Sequence, residues 1–208
     1  MSAPPTRRVR LSLSRVRAAL ASSPLPAEHV VVVHGERRAA VLVTLFEEAG
    51  ETRVVLTRRS SALRSHTSEV SFPGGQADVG ETLVDAALRE AWEEVALDPA
   101  SVEVAAALGS LTTVSSNALI TPFVGILPGR PVLSANPFEV DRVFDVALAD
   151  LLVDGVHHSE LWQRGEVEIE LHFFEVPGDI IWGATARILV ELLGLVMASS
   201  DPAASPGE

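Results

Sequence analysis

Gly75-Gln76-Ala77-Asp78-Val79-Gly80-Glu81-Thr82-Leu83-Val84-Asp85-Ala86-Ala87-Leu88-Arg89-Glu90-Ala91-Trp92-Glu93-Glu94-Val95-Ala96-Leu97 is the stretch that decides how this chain is read. Thr82, with Asp85 three residues on, makes a capping-box pattern, so a helix is predicted to start there and run to about Val95. At roughly 100° per residue, Val84, Leu88, Ala91, Trp92 and Val95 form one apolar arc that is expected to face the core. Glu90, Glu93 and Glu94 fall on a separate arc about 100° wide. Their three- and four-residue spacing is expected to make the side chains converge.

That convergence is locally unfavourable. Like charges so spaced cost about 0.2–0.5 kcal/mol per pair. Acids in a last helical turn also oppose the negative end of the helix dipole, at roughly 0.3–1 kcal/mol each. Arg89 ahead of Glu93 is the weaker order for an ion pair and relieves only part of this. A solvated acidic face is the plain alternative. A hard cation bound through oxygen turns the repulsion into attraction, and the glycine and the acid spaced upstream favour it.

Gly75, Glu81, Arg89, Glu90, Glu93 and Glu94 fill the positions of the Nudix box, so the chain resembles the Nudix hydrolases of nucleoside diphosphates linked to another moiety. The resemblance implies Mg²⁺ or Mn²⁺ as cofactor. It implies Glu90 and Glu94 as the main ligands and Glu93 as a further ligand or the base that orients the attacking water. Glu81 takes a supporting role at the metal, the Gly75 carbonyl can approach the ion because glycine leaves room, and Arg89 holds the acids in place. Glu93, Glu94 and Arg89 are thus the expected catalytic set. One position departs: the family usually has glycine where this chain has Ala96, and alanine in a left-handed turn costs about 1 kcal/mol. Altered loop geometry is expected there, with the chemistry retained.

Further upstream stand Leu56-Thr57-Arg58-Arg59-Ser60, Leu63-Arg64-Ser65-His66 and Val70-Ser71-Phe72-Pro73-Gly74-Gly75, and near the end Ile181-Trp182-Gly183-Ala184-Thr185-Ala186-Arg187. These are similar to motifs of the coenzyme A pyrophosphatase branch of the family. The resemblance implies cleavage of coenzyme A to 4′-phosphopantetheine and adenosine 3′,5′-bisphosphate. The guanidinium fork matches phosphate oxygens bidentately, and a 3′-phosphate beside a pyrophosphate calls for such groups. Arg58, Arg59, Arg64 and His66 are the candidate substrate-binding residues, set against arginines that merely pair with surface acids. Ser68-Glu69 stands where the branch usually has Gly-Gln. That departure keeps ADP-ribose, NADH and other nucleoside diphosphate derivatives open as substrates. A non-catalytic nucleotide-binding domain is the rival from another class, and Glu139 is a candidate further acid from a separate loop.

The chain has 208 residues, of which 47% are hydrophobic, and a formal net charge of −12. All 16 basic residues are arginine and cysteine is absent, which removes disulfides, thiolate nucleophiles and cysteine zinc sites. The acidic balance argues against nucleic acid as partner. No apolar run is long enough to span a membrane, and the cytoplasm is the expected compartment. The expected partner is a small nucleotide, with a homodimer left open. Residues 1–27 contain five arginines and no acid. A transit peptide would fit, but a helix around Leu11 to Ala21, packing Leu13, Val16 and Leu20, is preferred.

The organisation expected is an N-terminal extension over 1–30, a hydrolase domain over 31–198 and a disordered tail over 199–208, with residues 1–8 also disordered. Predicted strands are Ala39–Phe46, Arg53–Thr57, Val102–Leu108, Ile120–Leu127, Val143–Leu148 and Glu166–Val176, with a turn at Glu47–Glu51 and a closing helix over Trp182–Leu195. Strands interleaved with helices give an α/β class, and the resemblance implies an α/β/α sandwich with a mixed sheet between helical layers.

Overall fold

The apolar run at Ala39 to Phe46 becomes the centre of an eight-stranded mixed sheet. The computed structural model describes residues 9–21, 38–60, 69–112, 118–165 and 167–199. In chain order the elements are α1 (Leu13–Leu20), β1 (Arg38–Glu48), β2 (Glu51–Arg59), β3 (Val70–Ser71), β4 (Gly74–Gln76), α2 (Leu83–Val95), β5 (Glu103–Ala107), β6 (Leu111–Thr112), β7 (Leu119–Ile126), β8 (Val140–Ala147), β9 (His157–Arg164), β10 (Val167–Val176), β11 (Asp179–Trp182) and α3 (Gly183–Ala198). Arg64, His66 and Ser68 lie outside the described residues, as do the expected disordered ends apart from Ser199.

β1 runs parallel to β7 and antiparallel to β2 and β4. A two-residue turn, Ala49-Gly50, joins β1 to β2 with both φ angles positive, at 52° and 75°, the geometry that follows the twist of a hairpin. β1 and β2 pair only between Leu45–Glu48 and Glu51–Val54, and then part. β4 takes over beside Ala39–Val41 and β3 beside Thr57 and Arg58. The segment Phe72 to Gly75 is therefore wedged between the two splayed strands, pinned by the Leu42 N–H donating to the Pro73 carbonyl at 2.8 Å.

Side chains alternate across a strand, and both faces of this sheet are covered. Val43, Leu45, Val54 and Leu56 pack with Val16 and Leu20 of α1 and with Leu189, Leu192 and Val196 of α3. Ala40, Leu42, Phe46 and Val55 pack with Ala87, Ala91 and Val95 of α2. The expected α/β/α sandwich is therefore present. Ser12 caps α1, accepting from the Arg15 N–H, and among the described residues no helix is long and apolar enough to cross a membrane.

A second, three-stranded antiparallel sheet, β11-β10-β9, was not anticipated. β10 matches the alternating segment in the sequence, but β9 is exposed along its whole length and carries no apolar period. The expected closing helix also starts later. Trp182 pairs with Phe173 as the end of β11, and Gly183, at φ 65°, turns the chain into α3.

Candidate active site

α2 begins as its sequence requires. Thr82 accepts from the Asp85 N–H at 3.1 Å and its hydroxyl bonds the Asp85 carboxylate at 2.7 Å. The helix ends in a left-handed residue: Ala96 has φ 56° and ψ 32°, with the Leu97 N–H reaching back to the Ala91 carbonyl at 3.3 Å. The left-handed turn that favours glycine is therefore kept, with alanine in it.

The buried face of α2 differs from the one expected. It consists of Ala86, Ala87, Ala91, Glu94 and Val95, while Trp92 is 54% exposed. The reason is steric. The alanines let the helix lie close over β1 and β4, where an indole does not fit, and this rotates Glu94 inward to 2% exposure. The expected convergence of three glutamates is corrected with it. Glu93 reaches outward, Glu90 and Glu94 face β4, and among the described residues no three acids form a ready-made metal cage.

The carboxylates are shared between two arginines. Arg89 Nε and Nη2 donate to the two Glu81 oxygens at 2.8 and 3.0 Å, Nη1 donates to Glu90 at 2.9 Å and to Glu93 at 3.2 Å, and Nη2 also reaches the Gln76 carbonyl at 3.2 Å. Glu81, distant in sequence, is thus folded back onto the cluster. Arg89 holds its carboxyl below the usual range, chiefly by these hydrogen bonds.

Glu94 is held differently. One oxygen accepts from the Gly74 N–H at 3.3 Å, and the other lies 3.6 Å from Arg59 Nη1. Burial pushes its pKa up to about 7, against the pull of Arg59 and the Gly74 amide; the charges of Glu90 and Glu139 push the same way as burial. Burial likewise raises Glu90, against the pull of Arg89. Arg59 Nε is itself buried without a hydrogen-bond partner.

Gly74 and Gly75 are what bring strand and helix together. A Cβ on Gly75 would stand 2.5 Å from the Glu90 carboxylate, and one on Gly74 would stand 2.4 Å from the Ala40 carbonyl. At Gly75 another residue fits only if Glu90 moves, and at Gly74 the obstacle is the backbone of Ala40 and Val41 itself. Glu139 enters from the loop before β8. Its carbonyl accepts from the Ser60 N–H at 2.9 Å, and the same loop covers the end of α2 through the Asn136 N–H bond to the Glu94 carbonyl at 2.8 Å. The role of the Gly74 amide was missed in the sequence, although the Gly-Gly pair was its signal.

Arg58 and Arg59 do not share a site. Arg59 lies over Glu94, whereas Arg58 Nη1 lies 3.5 Å from Asp179, which also pairs with Arg142. Arg58 there lines a groove of about 730 Å³ with Trp162, Phe173 and Trp182.

The donor set fits a hard dication. Glu90 and Glu94, one turn apart, both press on the Gly74-Gly75 backbone, and buried Glu94 meets only the Gly74 amide and, at 3.6 Å, a partly exposed Arg59, which leaves polar capacity of a buried carboxylate unused.

Three comparisons bear on this arrangement. The family model described as the NUDIX domain matches residues 36–171. A protein of Photorhabdus laumondii named "Uncharacterized Nudix hydrolase NudL" is 39% identical over 158 residues, covering 75% of this chain and 83% of that protein. "Nudix hydrolase 22, chloroplastic" of Arabidopsis thaliana is 42% identical over 174 residues, covering 77% of this chain and 55% of the plant protein. Among solved structures, a MutT/nudix family protein from Enterococcus faecalis superposes with a TM-score of 0.55 at 17% identity, over 90% of this chain and 70% of that one, a likeness of fold alone.

Proposed function

The chain belongs to the Nudix family and is a pyrophosphohydrolase, and from that premise we propose that it cleaves the pyrophosphate of coenzyme A or its derivatives. The products are 4′-phosphopantetheine and adenosine 3′,5′-bisphosphate. Water adds to one phosphorus, the bridging P–O bond breaks, and the other phosphate leaves.

The observation that carries the reaction is Glu94. It is a buried carboxylate held near neutrality, half-satisfied by a backbone amide and a distant guanidinium. Glu90 and Glu94 would hold Mg²⁺ or Mn²⁺ with the Gly75 carbonyl, and Glu93 and Glu81 would support them. A dication there supplies charge neutralisation and a bound water of lowered pKa. Glu93, half-exposed at the rim, is placed to orient the attacking water. Arg89 fixes Glu81, Glu90 and Glu93 in one arrangement, so their geometry is set before substrate arrives. Arg59 is the arginine placed to meet a phosphoryl oxygen beside the acids. Glu139 adds negative charge near Glu90 and Glu94.

The substrate assignment is supported by the motif residues Leu56–Ser60 and Val70–Gly75, which build β2, β3 and the wedge that carries the site. Arg58, Arg64 and His66 complete the proposed substrate set, with Arg58 reading the 3′-phosphate. Ser68-Glu69 favours a second reading, in which ADP-ribose or NADH is the substrate. Chromatographic measurement of the two phosphomonoester products formed from coenzyme A, its 3′-dephospho form, ADP-ribose and NADH, with and without Mg²⁺ or Mn²⁺, separates these. Coenzyme A should be cleaved fastest and only with metal, and Arg58→Ala should lose more on coenzyme A than on the dephospho form. Faster turnover of ADP-ribose or NADH replaces the substrate, and binding without turnover of any compound removes the enzyme.

A further inference from the structure

β9 is the outer strand of the small sheet, and among the described residues it pairs only with β10. All eight of its residues are exposed. Its ladder with β10 runs from His157↔Phe174 to Arg164↔Val167 without a register shift. Natural edges are often blunted by proline, a bulge or charged side chains; His157-His158-Ser159-Glu160-Leu161-Trp162-Gln163-Arg164 has no proline and no bulge, and its two formal charges, Glu160 and Arg164, are of opposite sign.

The register also sorts the faces. His158, Glu160, Trp162 and Arg164 lie opposite Phe173, Leu171, Ile169 and Val167 on one side of the sheet, and Trp182 lies opposite Phe173 from β11. Trp162, Val167 and Ile180 are 51%, 61% and 55% exposed on that side. That side therefore carries exposed apolar side chains interleaved with the charges of Glu160 and Arg164, beside the free backbone edge of β9.

We propose that β9 pairs antiparallel with β9 of a second copy of this chain, about a two-fold axis at Trp162. The occupant follows from the charge pattern. Glu160 and Arg164 stand two residues to either side of Trp162 on the same face. An axis there sets each Glu160 opposite the other copy's Arg164 and one indole against the other, which is the self-complementarity an isologous contact needs. An axis at Glu160 would instead face like charges. With the axis at Trp162, the two small sheets join into one and their apolar faces become continuous. The acid cluster on α2 takes no part.

Sedimentation equilibrium of the full chain from micromolar to hundreds of micromolar tests this. A monomer–dimer equilibrium is expected, with Arg164→Glu and Glu160→Arg each raising the dissociation constant about tenfold, since two cross-strand pairs per dimer are reversed. The double variant E160R/R164E should regain dimerisation, because it restores the opposite pairing, and hydrolysis per protomer should stay unchanged in all three. Amides of residues 160–164 that point away from β10 should exchange more slowly as concentration rises. A monomer throughout the range, a dimer indifferent to both single reversals, or no recovery in the double variant overturns the proposal.

Discussion

Two groups of carboxylates gather at α2, and their surroundings are opposite. The Arg89 group is a satisfied network: one guanidinium spends its donors on Glu81, Glu90, Glu93 and a backbone carbonyl. The Glu94 group is deeper and poorer, with one amide and a guanidinium at 3.6 Å. The first arrangement is what a fold does with acids it must place. The second keeps a charged group where its charge is costly, a cost that the proposed dication would offset. Position on the helix does not separate the two groups; depth beneath the Gly74-Gly75 wedge does.

The largest expected effect breaks the second group alone. Glu94→Gln should lower turnover about a hundredfold or more while the metal-free protein unfolds at an unchanged or higher temperature, because a neutral amide is easier to bury. Steady-state rates and thermal melts check both halves. Near-normal turnover would make the contrast between the groups irrelevant to catalysis.

The next effect is in pH. Glu94 titrates near 7 in the folded chain, above an unfolded glutamate, so the native state binds the extra proton between about 4.3 and 7. Stability of the metal-free protein should therefore be highest at the acidic end of that window and fall as pH rises through it, by at most roughly 4 kcal/mol. Urea titrations across this range should show the slope, Glu94→Gln should flatten it, and Mg²⁺, which favours the carboxylate, should oppose it.

Removing the shared cation of the first group is expected to cost about 2 kcal/mol, since Arg89→Ala strands two partly buried acids, Glu81 and Glu90. Added Mg²⁺ should recover part of that loss in urea unfolding. If magnesium gives no recovery, the two groups do not share a cation site. Smallest of all, Ala96→Gly should stabilise the protein by about 1 kcal/mol, because only the backbone strain at φ 56° changes. A destabilised A96G would show that the left-handed turn is not strained by alanine.

Much of this was legible beforehand, and for local reasons. The N-cap at Thr82, the left-handed cost at Ala96 and strands β1, β2, β7 and β10 rest on interactions within a few residues, which sequence period and capping chemistry report directly. The Glu81–Arg89 contact was legible only through the family resemblance, since eight residues and a turn separate them. Glu139 was singled out in the sequence and does lie near Glu90 and Glu94, whereas the inward rotation of Glu94, the outward Trp92 and the separation of Arg58 from Arg59 were not legible. Each depends on which face of α2 or β2 meets which neighbour. β9 escaped notice because a strand exposed on both faces carries no apolar signature.

The residues alone determined the acids, their spacing and the glycine pair that lets a helix lie close to a strand, and through the family resemblance they implied the class of reaction. Only the folded chain decided which acid is buried and which is shared. That outcome depends on how closely alanines let α2 approach the wedge between β1 and β2, a distance set by packing from both sides of the sheet and written in no single segment.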